Sequence, residues 1–136
     1  MPFVLDASMT MSWCLADEST SLSRRVLDLL LDSYAEVPAL WSFEIVNVLS
    51  VSEKRKRLTK SASVEFLQKL SGLDIRIDRS FPAVDGNALL PLVWRYGLTA
   101  YDAAYLELAK RKGLPLATFD KQLIAAAPLE GVKLIK

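Results

Sequence analysis

Hydrophobic positions along the chain recur in two alternating styles. Short unbroken apolar runs read as buried strands, and longer stretches with apolar residues three and four apart read as helices with one inward face. Phe3-Val4-Leu5 is the first strand, ending at Asp6-Ala7-Ser8, a helix-start pattern. Residues 9–16 are predicted to form a short helix carrying Trp13, and Leu22, Val26, Leu29 and Leu30 place a second helix over Ser19 to Asp32. Ala35-Glu36-Val37 is a short strand stopped by Pro38. A long helix is expected from about Leu40 to Arg57, and another from about Lys60 to Leu70 with Gly72 as its stop. Ile75-Arg76-Ile77 alternates like a strand. Phe81 to Arg95 is helical in pattern, with Pro82 in its first turn and Gly97 at its end. Thr99 to Lys112 is a further helix closed by Gly113. Pro115 to Thr118 is a strand, Lys121 to Ala127 a short helix, and Val132 to Ile135 the last strand.

Strands alternating with helices imply an α/β fold, a parallel sheet covered by helices on both faces. Neither repeats nor linkers interrupt the pattern, so a single domain is expected over 1–136. Such folds bind ligands outside the carboxyl ends of the strands, where strand order reverses. Asp6 and Asp120 each follow a strand and are expected at that edge.

Composition narrows the chemistry. The 136 residues are 51% hydrophobic, enough to bury one core. No run of about 18 apolar residues predicts a membrane span, and the N-terminus does not read as a secretory signal. A cytoplasmic protein is therefore expected. Cys14, the single cysteine, reads as a small buried residue and fits a reducing compartment. A net charge of +1 says nothing about partners. The absence of histidine says more. It removes Ser-His-Asp and Cys-His catalysis and leaves zinc without its usual donors. Chemistry carried by carboxylates points instead to hard cations, magnesium or manganese.

Four acids stand out, each with an ordinary alternative. Asp6 and Asp120 could simply cap the helices that follow them. Asp102, three residues after Thr99, fits a capping box with Asp in place of Glu. It also shares a helix face with Leu98, Tyr105, Leu106 and Ala109. Glu44 is harder to explain, because it lies inside a helix in line with Leu40, Trp41, Val48 and Val51. A charge on an apolar stripe needs a cation, either an arginine such as Arg76 or Arg95, or a metal ion. Four carboxylates brought together repel one another, and a divalent cation relieves that repulsion. Such an ion can activate water and stabilise a phosphoryl transition state, which suits phosphodiester hydrolysis without histidine.

These residues resemble a known family. Val4-Leu-Asp-Ala-Ser8, Pro38 with Glu44-Ile-Val-Asn47, Leu98-Thr-Ala-Tyr-Asp102-Ala-Ala-Tyr105 and Thr118-Phe-Asp120 look like the four motifs of PIN domains, in order and over essentially the whole chain. The short length is similar to that of VapC-type toxins of toxin–antitoxin pairs. The resemblance implies a three-layer sandwich around a mainly parallel five-stranded sheet, and a ribonuclease dependent on Mg2+ or Mn2+. It maps the metal-site acids onto Asp6, Glu44, Asp102 and Asp120, with Asn47 and Thr118 or Ser8 orienting water or ligands. It also implies a homodimer and a cognate antitoxin covering the acidic groove, often with an arginine.

Three rivals remain open at this point. A phosphatase of the haloacid-dehalogenase kind wants a second Asp two residues after Asp6, where Ser8 stands. A phosphorelay receiver wants adjacent acids near the first strand, and Asp6 has none. A PIN-like module that binds without catalysing is the third. The basic run Lys54-Arg-Lys-Arg57, with Lys60 nearby, fits a solvated helix C-terminus, with an RNA-backbone contact as the alternative. Lys110-Arg-Lys112 is read the same way. Trp13, Trp41 and Trp94 could stack bases, but their apolar neighbours favour the core or a dimer face.

Overall fold

The computed structural model describes residues 1–79 and 86–136. Four short strands carry the architecture: β1 (Phe3–Leu5), β2 (Ala35–Val37), β3 (Ile75–Ile77) and β4 (Leu116–Ala117). They form one sheet in the order β3-β2-β1-β4, with every pairing parallel. The helices are α1 (Ala7–Met11), α2 (Ser21–Leu29), α3 (Leu40–Lys54), α4 (Lys60–Ser71), α5 (Gly86–Tyr96), α6 (Ala100–Lys112) and α7 (Lys121–Leu129). A short 3-10 turn, Ala16–Glu18, links α1 to α2.

The strand order decides where a site can form. The chain steps outward from β1 to β2 to β3, then crosses back to lay β4 on the other side of β1. α1 to α4 fill the connections that run from β1 to β3, and α5 and α6 fill the return from β3 to β4. The order reverses between β1 and β4, and their carboxyl ends open the crevice. Phe3, Val4, Leu5, Leu116 and Ala117 are all fully buried, as expected of strands covered on both faces. Truncating Leu5 to Ala beside this crevice would cost roughly 2–5 kcal/mol.

The helix boundaries follow from local capping. Asp6 accepts from Met9 N at 2.9 Å and starts α1. The helix is shorter than expected: it stops at Met11, where Ser12 Oγ bonds back to Met9 O. Thr20 and Ser23 exchange side-chain and backbone bonds in a capping box, so α2 begins at Ser21 rather than Ser19. α3 ends at Lys54, and the chain turns through Lys56 in a left-handed conformation (φ 59). The helix expected over Phe81 to Arg95 falls partly outside the described residues, Pro82 included; its described part runs from Gly86 to Tyr96.

The expected fifth strand is a correction. Val132 to Ile135 contributes a single parallel bridge, Leu116 to Leu134, so the described sheet has four strands. β4 is only two residues long and leaves little ladder for a neighbour to extend. Leu116 N–H donates to Lys133 O at 2.8 Å, Ile135 N–H donates to Leu116 O at 3.0 Å, and pairing ends there. No helix among the described residues is long and apolar enough to cross a membrane.

Candidate active site

Asp6 and Thr118 leave adjacent parallel strands at the same edge, which sets their side chains together. Asp6 N–H donates to Ala117 O at 3.2 Å, continuing the β1–β4 ladder by one residue. The Asp6 carboxylate is 3% exposed, and hydroxyls surround it. Ser8 Oγ reaches Oδ1 at 2.8 Å and Oδ2 at 2.9 Å, and the Thr118 hydroxyl donates to Oδ2. These hydroxyls are held in turn. Phe119 N–H donates to Ser8 Oγ at 3.0 Å, and Asp120 N–H donates to Thr118 Oγ1 at 2.9 Å. Asp120 Oδ1 accepts from Leu123 N at 3.0 Å and caps α7. The capping roles of Asp6 and Asp120 are therefore real, and both residues still face one cleft: each uses Oδ1 as the cap.

Glu44 and Asp102 reach the same cleft from helices. The buried stripe of α3 is Trp41, Ile45, Leu49 and Ser52; Glu44 sits at its flank, half-buried, and Val51 on the expected stripe is exposed. Glu44 Oε1 accepts from the hydroxyl of Tyr105, a fully buried residue of α6. The two arginines considered as its partners are engaged elsewhere. Arg76 pairs with Asp74 at 3.0 Å, and Arg95 with Glu130 at 2.7 Å. Asp102 lies in the first turn of α6 with its N–H donating to Thr99 Oγ1 at 3.1 Å, the N-terminal half of the expected capping box.

A cleft of about 250 Å³ joins these groups, lined by Asp6, Ser8, Glu44, Asp102 and Asp120 together with Glu18 and Tyr105. Among the described residues, Asp6, Glu44, Asp102 and Asp120 form no ion pair with Lys or Arg. Burial pushes the Asp6 carboxyl up to about 6, against the hydrogen bonds from Thr118, Met9 and Ser8, and the charge of Asp120 adds to the rise. Burial also raises Glu44, opposed by the Tyr105 bond and helped by the charge of Asp102. Asp102 is raised by burial and then by Asp120. Tyr105 is raised first by burial and then by its bond to Glu44, so it stays a neutral donor.

The set is open rather than cage-like. Among the described residues no three acids stand close enough to enclose an ion by themselves. Carboxylate and hydroxyl donors of this kind suit a hard cation that keeps several waters and shares its remaining coordination with a phosphate. Asn47, one turn after Glu44, is exposed and lies outside the cleft lining. Glu18 and Tyr105 were not singled out from the sequence. Glu18 sits in a 3-10 turn without periodicity, and Tyr105 reads as one more member of an apolar stripe.

Comparison with known proteins then settles the family. The PIN domain family matches residues 3–128. The chain belongs to the PIN-domain family. PIN domains are generally metal-dependent nucleases that act on RNA, so the phosphatase and receiver readings fall away. The crystal structure of PAE2754 from Pyrobaculum aerophilum is similar, with a TM-score of 0.65 at 24% identity, covering 92% of this chain and 86% of that one. A PilT N-terminus domain protein, SSO1118 from the hyperthermophilic archaeon Sulfolobus solfataricus P2, aligns with a TM-score of 0.43 at 18% identity, covering 99% of this chain and 86% of that one. The first of these shares the fold of this chain. No curated protein matches the chain. The remaining sequence features separate in the structure. Trp13 and Trp41 are tied in by indole bonds to Ser23 O and Thr10 Oγ1, whereas Trp94 is 73% exposed.

Proposed function

We propose that this PIN domain, acting as one unit over 1–136, is an endoribonuclease dependent on Mg2+ or Mn2+ and is the toxin of a toxin–antitoxin pair. The observation that carries the reading is a cleft lined by four carboxylates with no cation among the described residues to neutralise them. Buried acids raised by burial and by one another become favourable as anions only when a positive ion joins them. Asp6, Glu44, Asp102 and Asp120 would hold that ion. When bound, it supplies the charge that activates water and stabilises phosphoryl oxygens in the transition state.

The chain's own residues do the positioning. Ser8 and Thr118 fix both oxygens of Asp6, so its carboxylate cannot rotate away from the cleft. The Tyr105 hydroxyl on α6 fixes Glu44 on α3. Backbone caps hold Asp120 at the β4 edge and Asp102 at the first turn of α6. Asn47 stands outside this set and is left a contact to bound RNA at most.

The open acidic cleft also suits capture by an arginine of an antitoxin, consistent with the toxin role. Leu90 and Trp94, one turn apart on α5, and Tyr101 on the neighbouring α6 are all exposed, an apolar face that supports a homodimer. A cytoplasmic location fits the single cysteine. A binding-only PIN domain is the second reading, favoured by the absence of a ready-made ion cage among the described residues. Cleavage of single-stranded RNA, measured with Mn2+, with chelator and with Asp6→Asn, decides between them. The nuclease reading expects activity only in the first case; activity that survives both chelator and the substitution sinks it.

A further inference from the structure

An acidic cleft repels a polyanion, so a nuclease built on one needs a cation at its mouth. We propose that Arg57 is a substrate-positioning residue that binds a backbone phosphate of RNA beside the scissile one. The inference rests on the endoribonuclease reading above. Arg57 lies in the turn after α3, and its backbone N–H donates to Ser52 O at 2.8 Å, which pins the turn to a buried residue. Its guanidinium is tied to one acid of the cleft lining, Glu18. Nη2 donates to Glu18 Oε2 at 3.2 Å, and Glu18 itself lines the cleft. The same nitrogen donates to Asp17 at 2.9 Å.

Two features make this more than a surface ion pair. All three bonds use Nη2, so Nη1 and Nε have no described protein partner and keep their donors for a ligand. A guanidinium fork of that kind matches a phosphate's oxygens. The acids that hold it are themselves well exposed, so the tie orients Arg57 without locking it away from a competing anion. The residues on either side of it extend the track. Lys54, Arg55, Lys56 and Lys60 are exposed and form no ion pair among the described residues. The basic run therefore does more than complement the end of α3, because its last member pairs with an acid that lines the cleft.

Binding of a fluorescent single-stranded RNA oligonucleotide to the full chain, in chelator and over a range of KCl, separates a phosphate contact from a structural tie. Arg57→Gln is expected to flatten the slope of log affinity against log salt by about 0.7, the value for one phosphate contact on a single strand. With Mn2+ it is expected to raise KM by about tenfold and leave kcat within about twofold, the signature of lost uniform binding. Arg57→Lys restores part of the affinity, and Lys69→Gln, which removes a cation paired on α4, leaves the slope unchanged. Wild-type protein that binds and cleaves RNA, beside an Arg57→Gln variant with the same slope and KM, overturns the inference alone. A lowered melting temperature with an unchanged slope does so too, because it makes Arg57 only a tie between loops. Wild-type protein that neither binds nor cleaves RNA overturns the ribonuclease reading, and this inference with it.

Discussion

Asp6 and Asp78 occupy the same kind of position and meet opposite fates. Each is the first residue past the carboxyl end of a parallel strand, and each donates its N–H to the neighbouring strand, Asp6 to Ala117 O at 3.2 Å and Asp78 to Val37 O at 2.8 Å. Both side chains are buried. Asp78 is met by Arg111 at 2.7 Å, with Lys112 Nζ at 3.9 Å. Asp6 is met by hydroxyls, a backbone N–H and the field of another acid. The same helix explains both. α6 brings Asp102 to the cleft from its first turn, and Arg111 and Lys112 to Asp78 from its last, the arrangement its dipole favours. A strand-end acid thus becomes a candidate ligand through what the opposing helix leaves undone. Buried charge with a counterion is structure; buried charge without one is poised to bind.

The comparison predicts the sharpest contrast in activity. Asp6→Asn is expected to lower RNA cleavage by at least about 100-fold, the scale of a lost electrostatic contact in a transition state. Asp78→Asn is expected to keep cleavage within a few-fold while costing about 2 kcal/mol in denaturant unfolding, because Arg111 loses a buried partner. Equal losses of activity in both variants would erase the distinction.

Metal and proton should act on one acid and not the other. Mn2+ at about 100 times its dissociation constant is expected to stabilise the wild-type protein by about 2.7 kcal/mol. It should stabilise Asp78→Asn equally and Asp6→Asn far less, read as shifts in thermal unfolding. In chelator, stability is expected to fall as pH rises from 4 to 7. Asp6 holds its proton up to about 6 in the folded state against 3.8 as the ordinary value, so the folded protein binds more protons across that window. The loss amounts to about 2–3 kcal/mol, shared in sign by Glu44 and Asp102. Asp6→Asn should flatten that pH profile, and an unchanged profile would mean that Asp6 is ionised at no cost. The smallest effect is expected at Asn47: Asn47→Ala should change kcat by less than about threefold, since the residue stands outside the cleft. A hundredfold loss there would extend the site onto the exposed face of α3.

Much of the fold was legible because its signals are local. β1, β2 and β3 have the bounds expected from their apolar runs, and β4 keeps the inner two of its four expected residues. Helix ends were less legible where a cap competes with apolar periodicity, as at Thr20 and Ser12. The candidate site was legible in its acids and not in their surroundings. Glu44 drew notice as a charge inside a helix, yet its partner turned out to be a tyrosine hydroxyl rather than an arginine. Nothing in the spacing of Asp17-Glu18 and Arg57 announces their contact across 39 and 40 residues.

The sequence by itself determined the α/β alternation, the exclusion of histidine chemistry and the four acids at strand ends and on helices, because propensity, periodicity and composition act over a few residues. Only the tertiary structure decided which acids meet and which are neutralised. That depends on strand order, which places β4 beside β1, and on α6, which carries Arg111 to Asp78 and leaves Asp6 without a cation. Electrostatic environment is set by neighbours distant in the chain, and a charge is expensive or harmless according to what packs against it.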